Sequence, residues 1–164
     1  MARRMARTIR PAAPADVPLI AQFIRALAEY EHLAGEVVLR EDDLRQNLFG
    51  PRRYAEVLFV EDDGRAVGFA LFFHNFSTFL ARPGIYLEDL FVLPEYRGRG
   101  HGEALLRRLA AIAVERGCGR LEWAVLDWNT DAIRFYERVG AIQMKEWKVF
   151  RLAGSALDRL ASAD

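Results

Sequence analysis

The sequence predicts an α/β fold of the mixed α+β kind, a central mixed twisted sheet of about six to seven strands flanked by about four helices. Three observations predict it. Apolar residues recur at helical spacing early in the chain, then alternate as strands do, then return to helical spacing. A turn sequence, Asp62-Asp63-Gly64, separates two strand patterns and marks an antiparallel hairpin. The later strand patterns are divided by helical segments, the spacing of strands joined by crossovers.

The elements follow in order. Arg7-Thr8-Ile9-Arg10 reads as a short strand ended by Pro11. Asp16 is a candidate N-cap, and Leu19, Ile20, Phe23, Ile24 and Leu27 then form a helical stripe that runs out by Gly35. A second helix is expected from Glu41 to Leu48, stopped by Gly50-Pro51. Tyr54 to Val60 and Ala66 to Phe73 are the hairpin strands. His74 to Leu80 and the Arg82-Pro83-Gly84 stretch read as loop. Ile85 to Leu93 is a long apolar strand interrupted by Glu88-Asp89 and ended by Pro94. Glycines then lead into a helix from about Gly102 to Arg116, closed by Gly117-Cys118-Gly119. Leu121 to Leu126 is a strand, Thr130 to Val139 a short helix, Lys148 to Leu152 a final strand and Ser155 to Leu160 a terminal helical turn or two.

Length and charge bound the function. A chain of 164 residues, 52% of them hydrophobic, buries a core without disulfides and reads as one domain over 1–164, with residues 1–6 as a flexible basic arm. The 23 basic and 23 acidic side chains cancel, which argues against a dedicated nucleic-acid binder. The cancellation is local imbalance: Arg3, Arg4, Arg7 and Arg10 crowd the first ten residues, and Glu29, Glu31, Glu36, Glu41, Asp42 and Asp43 form an acidic run. An acidic face favours a cationic partner. Cys118 is the single cysteine, no apolar run is long enough to span a membrane, and the start lacks the form of a secretory signal. The expectation is a cytoplasmic protein with no membrane partner. His32, His74 and His101 show no metal-ligand spacing, so no metal is expected.

Chemistry concentrates in Arg97-Gly98-Arg99-Gly100-His101-Gly102, between a strand end and a helix start. Alternating glycines let the backbone turn tightly and expose its amides, and a helix N-terminus adds positive potential. That constellation suits a phosphate or pyrophosphate. It is not a Walker A loop, having no Gly-Lys-Ser/Thr, and its third glycine comes one residue early for a dinucleotide fingerprint.

The run from Glu88 to Gly102 resembles the acetyl-CoA-binding core of GNAT-type N-acetyltransferases, with the R-x-x-G-x-G signature at Arg97, Gly100 and Gly102. Asn129-Thr130-Asp131-Ala132 followed by Phe135 to Ala141 resembles the second hallmark of that superfamily. Ile85-Tyr86-Leu87-Glu88-Asp89 and Leu27-Ala28-Glu29-Tyr30-Glu31 resemble the diamine branch, the spermidine/spermine type. The resemblance implies the GNAT fold, with acetyl-CoA as co-substrate. It implies that Leu90, Phe91 and Val92 bind the pantetheine arm through their main chain. Arg97, Gly98, Arg99, Gly100, His101, Gly102 and Glu103 would cradle the pyrophosphate, and Asn129, Thr130, Asp131, Ala132 and Tyr136 would flank the thiol end. It also implies a homodimer.

An alkyl amine has a pKa of about 10.4, so only roughly one in a few thousand is free base at pH 7. The site must supply a proton acceptor. Glu88, near the middle of an apolar strand, is the candidate, since partial desolvation would raise its pKa. Tyr136 is the matching candidate acid for the departing thiolate. A backbone N–H at the strand break would serve the oxyanion. Direct attack needs no acyl-enzyme, and Cys118 in a glycine turn is poorly suited to form one. By resemblance Tyr30, Glu31, Glu88, Asp89, Glu122, Trp123 and Trp147 form the amine pocket, where carboxylates and aromatic faces suit an alkylammonium. Lys145 and Lys148 beside that pocket would disfavour a long polyamine. The expected activity is acetyl transfer to a small cationic amine of diamine or polyamine type. A lysine-like amino acid or a protein amine is the alternative, and a non-catalytic acyl-CoA-binding module is the rival of another class.

Overall fold

The structure, a computed structural model, describes residues 6–163. The chain divides into two compact units, one reaching Ala124 and one beginning at Val125. The first unit is built on five strands in chain order: β1 (Arg7–Pro11), β2 (Glu56–Asp62), β3 (Arg65–Ser77), β4 (Arg82–Val92) and β5 (Leu121–Trp123). The first four pair antiparallel and β5 joins β4 in parallel. The unit also contains α1 (Val17–Tyr30), α2 (Glu41–Phe49) and α3 (His101–Glu115). The mixed α/β class holds, with five strands among the described residues where about six to seven were expected.

Alternation along the strands assigns the two faces of the sheet. Phe59, Phe69 and Phe91 point to one side and pack with Phe23, Ile20 and Leu27 of α1 and Leu48 of α2. The Phe23 ring lies 5.4 Å from Phe69, 5.9 Å from Phe59 and 6.4 Å from Phe91. These buried rings carry much of the cohesion of that layer. On the other side α3 buries Leu105, Leu109 and Ile112. The β2–β3 connection is a two-residue hairpin: Asp63 and Gly64 both have positive φ (49° and 80°), as a type I′ turn requires.

Two boundaries differ from expectation for the same reason. His74–Ser77 and Arg82–Gly84, expected as loop, are strand because they pair with each other across β3 and β4. Lys148–Leu152, expected as the last strand, is irregular and exposed. Strand propensity is realised only where a neighbour completes the ladder. The second unit holds α4 (Thr130–Arg138) and α5 (Gly154–Ala161). Asn129 is the N-cap of α4, its side chain accepting from the Ala132 N–H at 3.4 Å. Of the expected basic arm, residues 1–5 lie outside the described residues. The strand expected at Arg7–Arg10 is β1.

Candidate active site

The site is organised by an irregularity in β4. Leu71 of β3 pairs with Asp89 and Phe72 with Leu87, so Glu88 is an extra residue, a β-bulge. The bulge inverts the facing of what precedes it. Ile85 and Leu87 turn to the α3 side with Phe72, while Tyr86, Asp89 and Phe91 share the α1 side with Phe73, Leu71 and Phe69. The Tyr86 and Phe73 rings sit 5.3 Å apart.

This geometry corrects the assignment of the desolvated carboxyl. Glu88 is exposed, and the carboxyl drawn inward is Asp89. Burial first, then the charges of Glu88 and Glu31, push the Asp89 pKa up to about 7. Glu31, just past the end of α1, is itself raised by burial. Burial, Glu88 and Glu122 likewise raise the Tyr86 phenol. Glu122 stands opposite Tyr86 in the parallel ladder and is half-buried. Its Oε1 accepts from Asn75 Nδ2 at 3.4 Å and lies 3.2 Å from Arg120 Nε. Four carboxylates (Glu31, Glu88, Asp89, Glu122) are therefore grouped around Tyr86 and the bulge. The rest of the acidic run has a local explanation: Glu41, Asp42 and Asp43 fill the first turn of α2, where they complement the helix dipole.

The β4–β5 ladder ends at Leu87 and Trp123. Beyond it, Asp89–Val92 pair with β3 alone among the described strands. The main chain of Leu90, Phe91 and Val92 thus lies beyond the reach of β5. At the end of that stretch comes the glycine loop. Gly98 and Gly100 take positive φ (74° and 80°), and a side chain at Gly98 would meet open space. Gly100 is the N-cap of α3 and provides no side-chain cap, while Glu103 is engaged with Arg107 at 2.5 Å. The N–H groups of His101, Gly102 and Glu103 have no intrahelical acceptor, so the loop presents amides to an anion. These features fit a pyrophosphate carried on an extended arm.

Two expected loop contacts are placed differently. The Arg97 side chain turns back from the loop: its Nε donates to the Val92 carbonyl at 2.9 Å, and its guanidinium lies 4.5 Å from the Tyr30 ring and 5.2 Å from that of Phe91. Tyr30 thereby packs against the loop side of the site. His101 is only 4% exposed and faces inward, so only its backbone is available to the cofactor. Burial and the Arg7 charge hold its pKa below the usual histidine value, against the opposing pull of Asp62. Arg99 stays half-exposed, 3.9 Å from Asp62 and over the Tyr96 ring at 5.2 Å. Sequence reasoning missed Arg7, Asp62 and Asn75, which come from distant segments with no local motif.

The remaining expected residues belong to other places. Trp123 is half-buried on β5. Asn129, Thr130, Asp131, Ala132, Tyr136 and Trp147 lie in the second unit, where the Phe135 and Tyr136 rings are 5.5 Å apart and Trp147 is exposed. Among the described residues no cluster of three or more His, Cys, Asp or Glu is placed to hold a metal ion, and no helix is long and apolar enough to cross a membrane.

Comparison with known proteins agrees with this geometry. Residues 21–141 match the model of the acetyltransferase (GNAT) family. The chain is 39% identical to thialysine N-epsilon-acetyltransferase of Bos taurus, over 93% of this chain and 96% of that protein. It is 36% identical to L-ornithine N5-acetyltransferase NATA1 of Arabidopsis thaliana, over 96% and 89%. Among solved structures, an integron cassette protein from the mobile metagenome of V. cholerae superposes with a TM-score of 0.81 at 28% identity, covering 97% of this chain and 99% of that one.

Proposed function

Since the chain belongs to the acetyltransferase (GNAT) family, we propose that it transfers an acetyl group from acetyl-CoA to the terminal primary amine of a small cationic substrate, a lysine- or ornithine-like amino acid or a short diamine. It is an acyltransferase. The observation that carries the substrate reading is the inward Asp89 carboxyl at the β4 bulge, set among Glu31, Glu88 and Glu122 beside the end of the β4–β5 ladder. Opposite charge suits an ammonium head.

The proton problem is eased by the same group. An ordinary aspartate lies more than six pH units below an alkylammonium; at about 7, Asp89 lies roughly three units closer. That narrows the proton-transfer gap by about 4 kcal/mol. Asp89 is therefore our candidate acceptor, directly or through a water, its pKa held high by burial and further by the charge of Glu88. Tyr86 completes the pocket with an aromatic face. When bound, acetyl-CoA supplies the activated acyl group. The amides of residues 98–103 would hold its pyrophosphate, with Arg99 adjoining, and the main chain of Leu90–Val92 would orient its arm. Tyr136 is our candidate for protonating the departing thiolate, and the segment from Asn129 to Ala132 for flanking it.

We extend the reading to a cytoplasmic homodimer. The exposed Phe76, Phe79 and Leu80 at the tip of the β3–β4 hairpin support self-association, and the single Cys118 suits a reducing compartment. Sedimentation tests the first and localisation of the tagged protein the second. The catalytic reading is tested by offering acetyl-CoA with putrescine, spermidine, spermine, lysine, ornithine, thialysine and a lysine peptide while following thiol release. Basic amino acids and putrescine should turn over fastest. A protein that binds acetyl-CoA yet acetylates none of these amines would sink the reading.

A further inference from the structure

Arg7, from a sequence segment with no expected role, reaches the glycine loop. Its Nε donates to His101 Nδ1 at 3.2 Å, and its Nη2 donates to the carbonyl oxygen of Arg99. The guanidinium packs under Gly100, where an added Cβ would stand 3.4 Å from Nη2. With Nδ1 accepting, the proton of the neutral His101 ring resides on Nε2, 3.4 Å from Asp62 Oδ2 at the end of β2. Asp62 is 7% exposed, and the Tyr96 ring borders the other side of His101 at 6.3 Å. The inner surface of the loop is thus tied to β1 and β2 by side chains more than ninety residues away in β1's case.

The effect follows from peptide geometry. In a trans peptide the carbonyl and the next N–H point in opposite directions. Holding the Arg99 carbonyl inward turns the Gly100 N–H outward, and anchoring His101 fixes the first turn of α3 and its free amides. A loop with two glycines at positive φ has many other conformations open to it, and ordering each residue costs backbone entropy. We infer that Arg7 is a positioning residue of the cofactor site, holding the glycine loop in its amide-outward form so that strand β1 sets the affinity for the pyrophosphate. The inference rests on the reading of residues 97–103 as the acetyl-CoA loop.

The test compares the unaltered protein with R7A and R7K. Titration calorimetry with CoA should show about tenfold weaker binding for R7A, and a smaller loss for R7K, which keeps the charge but offers one nitrogen where Arg7 uses two separate ones. The acetyl-CoA KM should rise in step while the amine KM moves less than twofold. With S-acetylpantetheine, which lacks the pyrophosphate, kcat/KM should change less than twofold. Equal CoA affinity in R7A, or in R7K where R7A does not fold, overturns the inference. So does an equal loss with S-acetylpantetheine, which would make Arg7 a general support of the fold. An unaltered protein that binds no CoA overturns the loop reading and this inference with it.

Discussion

Replacing Asp89 by asparagine should make the protein more stable at alkaline pH while removing activity. The Asp89 carboxyl is 3.8 in an unfolded chain and about 7 in the folded one, so the folded state holds the proton more tightly. For such a group the unfolding free energy falls as pH rises from the unfolded value to the folded one, and then levels off. The full difference is about three pH units at 1.36 kcal/mol each, about 4 kcal/mol. Of this, about 3 kcal/mol develops between pH 5 and pH 8.5, where an asparagine contributes nothing. Urea unfolding of both proteins at the two pH values measures it. The advantage of Asp89→Asn at pH 8.5 should exceed that at pH 5 by about 2–3 kcal/mol, with unchanged m-values. Comparing two pH values cancels any constant packing effect of the amide. A difference that does not vary with pH, or one that favours aspartate more as pH rises, would refute the desolvation argument and the proton role built on it.

Glu88→Gln removes a charge that raises Asp89, so the rising limb of kcat/KM against pH, expected near 7, should move to lower pH while amine affinity weakens; a limb that stays in place separates the two carboxyls. Tyr136→Phe should cut maximal turnover by about 100-fold or more with little change in acetyl-CoA binding, and an unchanged rate removes the acid assignment. Gly64→Ala forces a side chain into the left-handed φ of the hairpin turn and meets no neighbour there, so it should cost about 1–2 kcal/mol of stability by urea unfolding and leave kcat/KM intact.

The glycine loop and the Asp-Gly hairpin were legible because each depends on neighbouring residues whose backbone preferences are strong. The identity of the inward carboxyl was not. Glu88-Asp89 sits in an apolar run where alternation alone offers either face, and a bulge of one residue decides which is drawn in. Nothing in the local sequence marks that bulge, since it arises from register with β3. His101 was equally opaque. A histidine between two glycines reads as a loop side chain, yet Arg7 and Asp62, 94 and 39 positions away, give it a polar interior to turn into. The acidic run shows the converse, since its density suggested a binding face and the first turn of α2 takes half of it. The last strand failed because ladder partners, unlike periodicity, are not a property of the segment itself.

The early end of the β4–β5 ladder also has a consequence for the protein at rest. Past the ladder, the main chain of Leu90 and Phe91 is not reached by strand β5, while the Val92 carbonyl is taken by Arg97. A strand edge that no neighbouring strand completes is a template for pairing with another extended chain, the usual seed of edge-to-edge association. On the proposed reading the arm of acetyl-CoA lies along that edge as a surrogate strand. Ligand at a hundred times its Kd adds about 2.7 kcal/mol to the folded state. The metabolic supply of acyl donor would then govern shelf life as well as rate: a starved enzyme is open to aggregation at the same few residues that a charged one keeps sealed.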